Sequence, residues 1–198
     1  MRRLPFPLEG PVLIEPVVHR DGRGFFLETY RRGALEELGV TDRFVQGNQS
    51  RSTRGVVRGM HFSVDPGQAK LVRCARGEIL DVVVDIRRGS PAFGRWAATA
   101  LDDREHRLLY VPVGFAHGFC VTGEVADVVY ECSEYYDPAR ERGFAPDDPD
   151  VAIAWPEGEH LVSPRDAAAP RLRDIADGLP FVYGEPPAPS AAARQSAR

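Results

Sequence analysis

Three short apolar runs between positions 55 and 86 dominate the pattern of hydrophobic and polar residues in this chain. They are rich in Val and Ile and are separated by tight-turn sequences that contain Pro-Gly and Arg-Gly. Short β-branched runs bounded by such turns predict strands, not helices. In the third run Leu80, Val82, Val84 and Ile86 share one face, and Asp81 and Asp85 share the other. This alternation predicts a sheet that is apolar on one side and lines a polar cavity on the other.

Further short runs with a period of two lie on both sides of this central part. They cover residues 11–18, 25–30, 44–52, 93–101, 107–111, 115–121 and 125–134, with a turn at 19–24. Helices are predicted only at residues 34–38 and within 163–177, and the chain after position 137 is acidic and reads as a loop. Many short strands without alternating long helices indicate an all-β sandwich or barrel, with short helices at its periphery.

Length and composition limit the classes of protein that fit. The 198 residues suit one domain, which we place at residues 1–184, followed by a tail at 185–198 that is rich in Pro and Ala and predicted to be disordered. A formal charge of −4 and a pI of about 5.8 argue against nucleic acid or membrane as partners. No stretch approaches the roughly 18 apolar residues of a membrane span, so we expect a cytoplasmic protein.

The cysteines and the short motifs narrow the chemistry. Cys74, Cys120 and Cys132 are odd in number, widely spaced and surrounded by apolar residues, which predicts reduced thiols in the core. The chain contains no P-loop, no dinucleotide-binding glycine motif and no G-x-S-x-G elbow. Nucleotide hydrolysis and serine esterase chemistry are therefore disfavoured.

The central strands carry groups with catalytic potential. His61 lies between Arg58 and Lys70, and a neutral imidazole near fixed cations can accept a proton; the residues alone leave a structural histidine equally open. Asp166 could orient that imidazole, but its sequence context favours a helix N-cap. Tyr130 lies on an apolar strand where a packed aromatic is the commoner explanation, and its phenol matters only if it faces the cavity.

The segment from Pro112 to His117 has the spacing Pro-x-Gly-x-x-His, which is half of the second motif of the cupin barrels, where the histidine is often a metal ligand. A metal-binding cupin would also supply a His-x-His pair and a Glu, whereas this chain has His61 followed by Phe62 and Ser63. We therefore predict no metal and no other cofactor.

Taken together, eight sequence blocks between about Gly10 and Pro170 resemble the dTDP-4-dehydrorhamnose 3,5-epimerases, in the order seen in that family. The blocks are DGRGFFLE (21–28), QGNQS (46–50), RGMHF (58–62), QAKLV (68–72), DVVVDIR (81–87), GSPAFG (89–94), AHGF (116–119) and SPRDAAAP (163–170). The resemblance implies a cupin-type jelly roll and a metal-free homodimer.

The resemblance also implies a role for individual residues. His61 matches the family's base, Asp166 its carboxylate partner, Lys70 the lysine that stabilises the enolate, and Tyr130 the tyrosine that returns a proton on the opposite face. The remaining matches are expected to bind substrate: Arg23 and Arg58 at phosphate, Phe26 and Glu28 at the nucleotide end, and Gln46, Asn48 and His117 around the sugar. The chain departs from the family pattern at Gly47 and Ser63, where Asp and Gln are common.

The implied reaction inverts C3 and C5 of dTDP-4-keto-6-deoxy-D-glucose through enolates and gives dTDP-4-keto-L-rhamnose. Two alternatives stay open at this point: a relative that inverts only C3 or only C5, and a cupin that binds a sugar nucleotide without catalysis. The intact Ala116-His117-Gly118-Phe119 block favours double inversion, and the joint presence of His61, Lys70, Tyr130 and Asp166 argues against a silent binder.

Overall fold

The structure is a computed structural model that describes residues 1–186. Its strands are β1 (Arg2–Leu4), β2 (Val12–Glu15), β3 (Val18–Asp21), β4 (Gly24–Leu27), β5 (Gln46–Thr53), β6 (Val56–Ser63), β7 (Lys70–Arg76), β8 (Glu78–Asp85), β9 (Trp96–Asp102), β10 (Leu108–Val111), β11 (Phe115–Val121), β12 (Val125–Cys132), β13 (Glu141–Gly143) and β14 (Leu161–Val162). The helices are α1 (Arg32–Glu37), α2 (Pro164–Ala167) and α3 (Leu172–Ile175), which continues into a 3₁₀ turn at Ala176–Gly178.

Two antiparallel sheets pack face to face. Sheet I has the strand order β1-β2-β10-β7-β12-β5. Sheet II has the order β13-β6-β11-β8-β9, and β14 joins it by pairing in parallel with β6. The strands β3 and β4 form a separate hairpin. The predicted all-β class is confirmed, and the crossed strand order is that of a jelly roll.

Apolar side chains fill three layers. The first lies between the sheets and includes Val72, Val83 and Leu109. The second covers the outer face of sheet I, where α1 packs through Leu35. The third covers the outer face of sheet II, where the C-terminal segment contributes Phe144. Because both sheets are covered on their outer faces, the interior between them can hold a polar cavity without loss of the core.

The strand β8 shows how the predicted alternation is used. Val82 and Val84 point into the outer layer beneath the C-terminal segment, as the pattern predicts. Asp81 points between the sheets and hydrogen-bonds with His117, but neither Asp81 nor Asp85 is among the residues that line the cavity between the sheets. The Asp85 carboxylate is fully buried against Arg87, whose Nη2 lies 2.6 Å away. The prediction that these carboxylates line a cavity is therefore wrong for both, since Asp85 is bound to Arg87 and Asp81 is bound behind His117.

Other element predictions hold with altered bounds. The three central strands are β6, β7 and β8, and residues 115–121 form β11 as predicted. The predicted strand 11–18 is divided at Pro16, which has no N–H for a ladder hydrogen bond. The predicted turn 19–24 is present but shorter, because residues 18–21 form β3 and the turn is confined to residues 22–23. The segment after position 137 is not only loop, since it contributes β13 and β14.

The C-terminal part of the prediction is confirmed only in outline. The region 163–177 contains the two short helices α2 and α3, interrupted around Pro170. Of the predicted tail, residues 187–198 lie outside the described residues, so the proposed boundary at 184 stays a prediction.

Within residues 1–186, no helix is long and apolar enough to cross a membrane. Cys74, Cys120 and Cys132 are free and buried, as predicted.

Candidate active site

A cavity of about 780 Å³ opens between the edge strand β5 of sheet I and the β6–β14 edge of sheet II. Six of the eleven predicted site residues line it: Arg58, His61, Lys70, His117, Tyr130 and Asp166. Sheet I supplies Lys70 and Tyr130, whereas sheet II supplies Arg58, His61 and His117. The cavity therefore has its ionisable groups on two facing walls.

His61 and Asp166 form a hydrogen-bonded pair at one end of the cavity. His61 Nε2 lies 2.7 Å from Asp166 Oδ1, and Asp166 is buried. Burial raises the pKa of the Asp166 carboxyl, but the hydrogen bond with His61 and smaller contributions outweigh burial and hold that pKa below its ordinary value. An ionised Asp166 accepts a hydrogen bond from Nε2–H, which leaves Nδ1 of the imidazole as the nitrogen with a free lone pair.

The helix α2 brings Asp166 to this position. Ser163 is the N-cap of α2, and its Oγ accepts a hydrogen bond from the Asp166 backbone N–H at 3.1 Å. The expectation that Asp166 caps the helix is therefore wrong, since Ser163 performs that role and the Asp166 side chain turns toward His61. Sequence alone favours the cap because capping depends on neighbours in the chain, whereas the contact with His61 joins residues 105 positions apart.

Lys70 and Tyr130 lie together on the opposite wall. The Lys70 ammonium nitrogen is 5.9 Å from the centre of the Tyr130 ring. Burial lowers the pKa of Lys70, an effect that the nearby Cys132, Glu141 and Asp81 groups oppose. Burial also raises the pKa of the Tyr130 phenol above its ordinary value. Tyr130 faces the cavity and keeps its proton at neutral pH, so it can donate that proton.

Two further polar side chains of the cavity, His117 and Arg58, are held in place by hydrogen bonds. His117 Nε2 lies 2.9 Å from Oδ2 of the buried Asp81, which fixes the orientation of the His117 ring. Arg58 Nε donates to Ser52 Oγ at 3.0 Å, and this bond leaves the rest of the guanidinium directed to the cavity it lines. A fixed cation in a cleft is suited to bind a phosphate group.

Gln46 and Asn48 lie beside the cavity and are not among the residues that line it. Gln46 Nε2 donates to Asn48 Oδ1 at 2.9 Å, and Asn48 Nδ2 lies 3.5 Å from the thiol of Cys132. Cys132 is the register partner of Lys70 on the neighbouring strand. The two amides therefore lie on the strand next to the one that carries Tyr130, and that strand separates them from the Lys70 strand.

Arg23, Phe26 and Glu28 are not brought to this cavity. Arg23 is bound to Asp21 of the same hairpin, and Glu28 pairs with Arg31 at 3.0 Å. The Phe26 ring is 71% exposed. Within one chain, predicted site residues of the two sheets therefore lie together at the cavity, whereas the predicted residues in and after the β3–β4 hairpin lie outside it.

The cavity wall contains groups that the sequence analysis did not select: Ser50, Ser52, Glu141 and Arg165. Arg165 Nη1 lies 2.8 Å from Glu141 Oε2. Ser50 and Ser52 continue the alternation of Gln46 and Asn48 along β5, so the period of two was a signal that could have indicated them. No comparable signal exists for Glu141, which lies in the segment predicted as a loop.

His117 belongs to a motif that often supplies a metal ligand in cupin barrels. Within residues 1–186, no group of three His, Cys, Asp or Glu side chains is arranged to hold a metal ion. The His117 ring is instead hydrogen-bonded to Asp81. The absence of a cofactor stays a prediction for direct measurement.

Comparison with known proteins identifies the family. The family model described as dTDP-4-dehydrorhamnose 3,5-epimerase matches residues 5–174. A dTDP-4-dehydrorhamnose 3,5-epimerase of Neisseria gonorrhoeae is 49% identical over 79% of this chain, which spans 48% of that relative. A dTDP-4-dehydrorhamnose 3-epimerase of Streptomyces niveus is 48% identical over 89% of this chain and 86% of the relative.

A solved structure agrees with these sequence matches. The dTDP-6-deoxy-D-glucose-3,5-epimerase of Legionella pneumophila, in complex with dTDP-4-keto-L-rhamnose, superposes with a TM-score of 0.89 at 44% identity. The match covers 93% of this chain and 99% of the Legionella chain. Sequence and fold therefore lead to the same conclusion: the chain belongs to the dTDP-4-dehydrorhamnose 3,5-epimerase family.

Proposed function

We propose that this protein inverts C3 and C5 of dTDP-4-keto-6-deoxy-D-glucose and forms dTDP-4-keto-L-rhamnose. One observation supports the proposal: His61, which can accept a proton, and Tyr130, which can donate one, lie on facing walls of one cavity. The 4-ketone acidifies the hydrogens on C3 and C5, so removal from one face and return on the other inverts each carbon. The Neisseria and Legionella relatives support this substrate class.

His61 is the proposed base. Its Nε2 is occupied by the Asp166 carboxylate, so Nδ1 takes the proton from the sugar carbon. The resulting imidazolium is stabilised by Asp166, which stays ionised because its pKa is held low. Asp166 therefore orients the ring and balances its charge during the transfer.

Lys70 and Tyr130 are the proposed partners on the other wall. Loss of the proton leaves negative charge on the 4-oxygen, and the Lys70 ammonium stabilises that enolate. The Tyr130 phenol then gives its proton to the carbon from the face opposite His61. Both groups come from neighbouring strands of sheet I, so a sugar ring between the sheets meets them together.

Binding of the nucleotide part is assigned to Arg58 at the diphosphate, because its guanidinium lines the cavity without a carboxylate partner among the described contacts. We assign His117, Gln46 and Asn48 to contacts with the sugar. These assignments combine the family pattern with positions in or beside the cavity.

We further propose a homodimer in which the β3–β4 hairpin serves the partner's cavity. Arg23, Phe26 and Glu28 match family site residues, yet they lie outside the cavity of their own chain. Phe25 and Phe26 are 52% and 71% exposed, which is unusual for two adjacent aromatic rings. A second chain would bury these rings and supply the missing contacts.

The reaction is tested by incubation with dTDP-4-keto-6-deoxy-D-glucose in deuterium oxide, followed by NMR of C3 and C5. Double inversion predicts deuterium and inverted configuration at both carbons. Incorporation at C3 alone would make the protein a 3-epimerase, as the Streptomyces niveus relative is named. No incorporation with tight binding would favour the silent cupin. Elemental analysis of the active protein, with less than stoichiometric metal expected, tests the absence of a cofactor.

A further inference from the structure

The β3–β4 hairpin lies outside both sheets. It forms a two-stranded sheet of its own, and none of its strand residues is buried. A hairpin of this size is only marginally stable in water. Its base is attached to the domain, because β3 begins soon after β2 ends and because Val18 and Leu27 are partly buried. A hairpin attached only at its base can swing, so its direction depends on a contact nearer its tip.

The two faces of the hairpin have different surroundings. Successive side chains of a strand point to opposite faces, and the register pairs Arg20 with Phe25 and His19 with Phe26. The Phe26 ring is 71% exposed and has the His19 ring 6.4 Å away. The Phe25 ring has the guanidinium of Arg20 5.9 Å from its centre. The face with Phe26 is open to a partner chain, whereas the face with Phe25 turns toward its own chain.

The Phe25 face rests on the turn between β9 and β10. The centre of the Phe25 ring lies 4.4 Å from that of His106, with 36° between the ring planes. Arg20 Nη2 donates a hydrogen bond to the backbone carbonyl of Arg104 at 2.7 Å. Arg20 and Phe25 form the third of the four residue pairs counted from the base of the hairpin. These contacts therefore lie close to the tip that carries Arg23, where they can fix the direction of the hairpin.

The turn between β9 and β10 is a firm support. Asp102 Oδ1 accepts a hydrogen bond from the Arg104 backbone N–H at 2.8 Å. Asp103 Oδ2 accepts one from the backbone N–H of Gly77 at 2.7 Å, which ties the turn to the connection between β7 and β8. His106 has a φ of 55°, in the left-handed region that histidine tolerates better than most residues. The backbone of the turn thus determines where the His106 ring lies.

The His106 ring is buried and neutral. Its Nε2 is buried and has no hydrogen-bond partner among residues 1–186. Burial lowers the pKa of His106 and the charge of Arg20 lowers it further, while Asp103 and Asp102 oppose the shift. Because Nε2 is unpaired, a hydrogen bond from this atom does not account for the position of the ring. The ring contact that the structure does show is the one with Phe25.

We propose that His106 is a positioning residue: it holds Phe25 and thereby sets the direction in which the hairpin presents Arg23 and Phe26 to the partner's cavity. The binding part of this inference rests on the proposed homodimer, whereas the support of the hairpin by His106 does not. Arg23 and Phe26 match residues that bind the nucleotide part of the substrate. A badly directed hairpin should therefore weaken nucleotide binding and leave proton transfer at His61 unchanged.

The first measurement is hydrogen exchange of the backbone amides of residues 18–27 in the protein without nucleotide. His106→Asn removes the ring and suits the left-handed backbone, and Phe25→Ala removes the other ring. Each should speed exchange in the hairpin by about 3- to 10-fold, the range that one aromatic pair is worth, while β8 exchanges as in the wild type. Phe25→Tyr keeps the ring and should exchange as the wild type does.

The second measurement is the Kd of dTDP by calorimetry, together with kcat and KM of epimerisation. His106→Asn and Phe25→Ala should each raise Kd and KM by about 3- to 10-fold and leave kcat nearly unchanged. The double variant should be no weaker than either single one, because each change removes the same contact. Glu105→Gln is the matched control: its side chain is 57% exposed in the same turn and pairs with Arg107, so no change is expected.

Three outcomes would overturn the inference. Unchanged hairpin exchange in both variants would mean that the base of the hairpin or a partner chain sets its direction. Faster exchange with unchanged dTDP affinity would mean that the supported hairpin serves no nucleotide site. A lower kcat at unchanged KM would mean that His106 acts on the chemistry. Should the wild type bind dTDP without epimerising the sugar, the proposed function fails, yet the exchange and affinity comparisons still decide this inference.

Discussion

The cavity between the sheets and the β3–β4 hairpin both contain residues that match the family's site. The cavity residues lie close together, whereas the hairpin residues are exposed. His61 and Tyr130 meet across one cavity although they belong to different sheets. Arg23 and Phe26 remain on an exposed hairpin. The hairpin is attached near the start of β10, where Phe25 packs on His106 at 4.4 Å between ring centres. Lys70 of β7 pairs with Val111 at the opposite end of β10, so the hairpin contacts the end of β10 that is far from Lys70.

The difference separates residues that one chain can bring together from residues that need a second chain. Strand register places His61 and Lys70 without any help from outside the chain. Among residues 1–186, none of the β3–β4 hairpin lines the cavity. The two regions therefore predict different behaviour under mutation: cavity residues should act within their own chain, and hairpin residues in the partner's site.

The largest effect is expected for the proton-transfer groups. His61→Ala should abolish deuterium exchange at C3 and C5, since no enolate forms, with a loss of about 10²- to 10⁴-fold. Tyr130→Phe should keep exchange with retained configuration, because His61 can return the proton it removed, while epimerised product falls. NMR of the product measures both. Exchange at both positions in His61→Ala would show that another group is the base.

A pH profile sharpens the role of the cavity's lysine. Burial lowers the pKa of Lys70, so its ammonium loses the proton at a lower pH than an ordinary lysine does. We expect kcat/KM to fall as pH rises through that lowered pKa, while Tyr130, whose pKa is raised, still carries its proton. In Lys70→Arg the cation persists, so the residual activity should lack this alkaline decline. An unchanged decline would assign it to another group.

Mixing two inactive chains tests the hairpin. The first chain carries His61→Ala and the second carries Arg23→Ala with Phe26→Ala. If the hairpin serves the partner, a heterodimer has one intact site: the cavity of the second chain with the hairpin of the first. Mixing should then restore activity above that of either chain alone. No recovery, with heterodimers present by native mass spectrometry, would place the hairpin at its own cavity or outside the reaction.

The smallest effect is expected at the C-terminus. Deletion of residues 185–198 should leave activity and melting temperature nearly unchanged, because a Pro- and Ala-rich segment cannot bury enough apolar surface to order itself. Thermal denaturation and the exchange assay check this. A clear loss of either would show that the segment packs on the domain or on a partner chain.

Much of the fold could be predicted because strand signals are local. Residues 115–121 form β11 with the predicted bounds, since the run is apolar and has a turn at each end. The strands β13 and β14 were missed because they have three and two residues and take their stability from pairing with β6. For Asp85, the period of two predicted the correct face of the sheet. It could not predict the buried ion pair with Arg87, which keeps this carboxylate away from the cavity.

The sequence by itself determined the strand pattern, the all-β class and, through the family resemblance, the candidate residues of the site. These features depend on side-chain period and on residue types near one another in the chain. Only the tertiary structure decided that Asp166 meets His61 and does not cap α2, and that Glu141 and Arg165 form an ion pair on the wall of the same cavity. Such contacts join residues far apart in sequence, and they exist only once strand register and sheet packing have placed them.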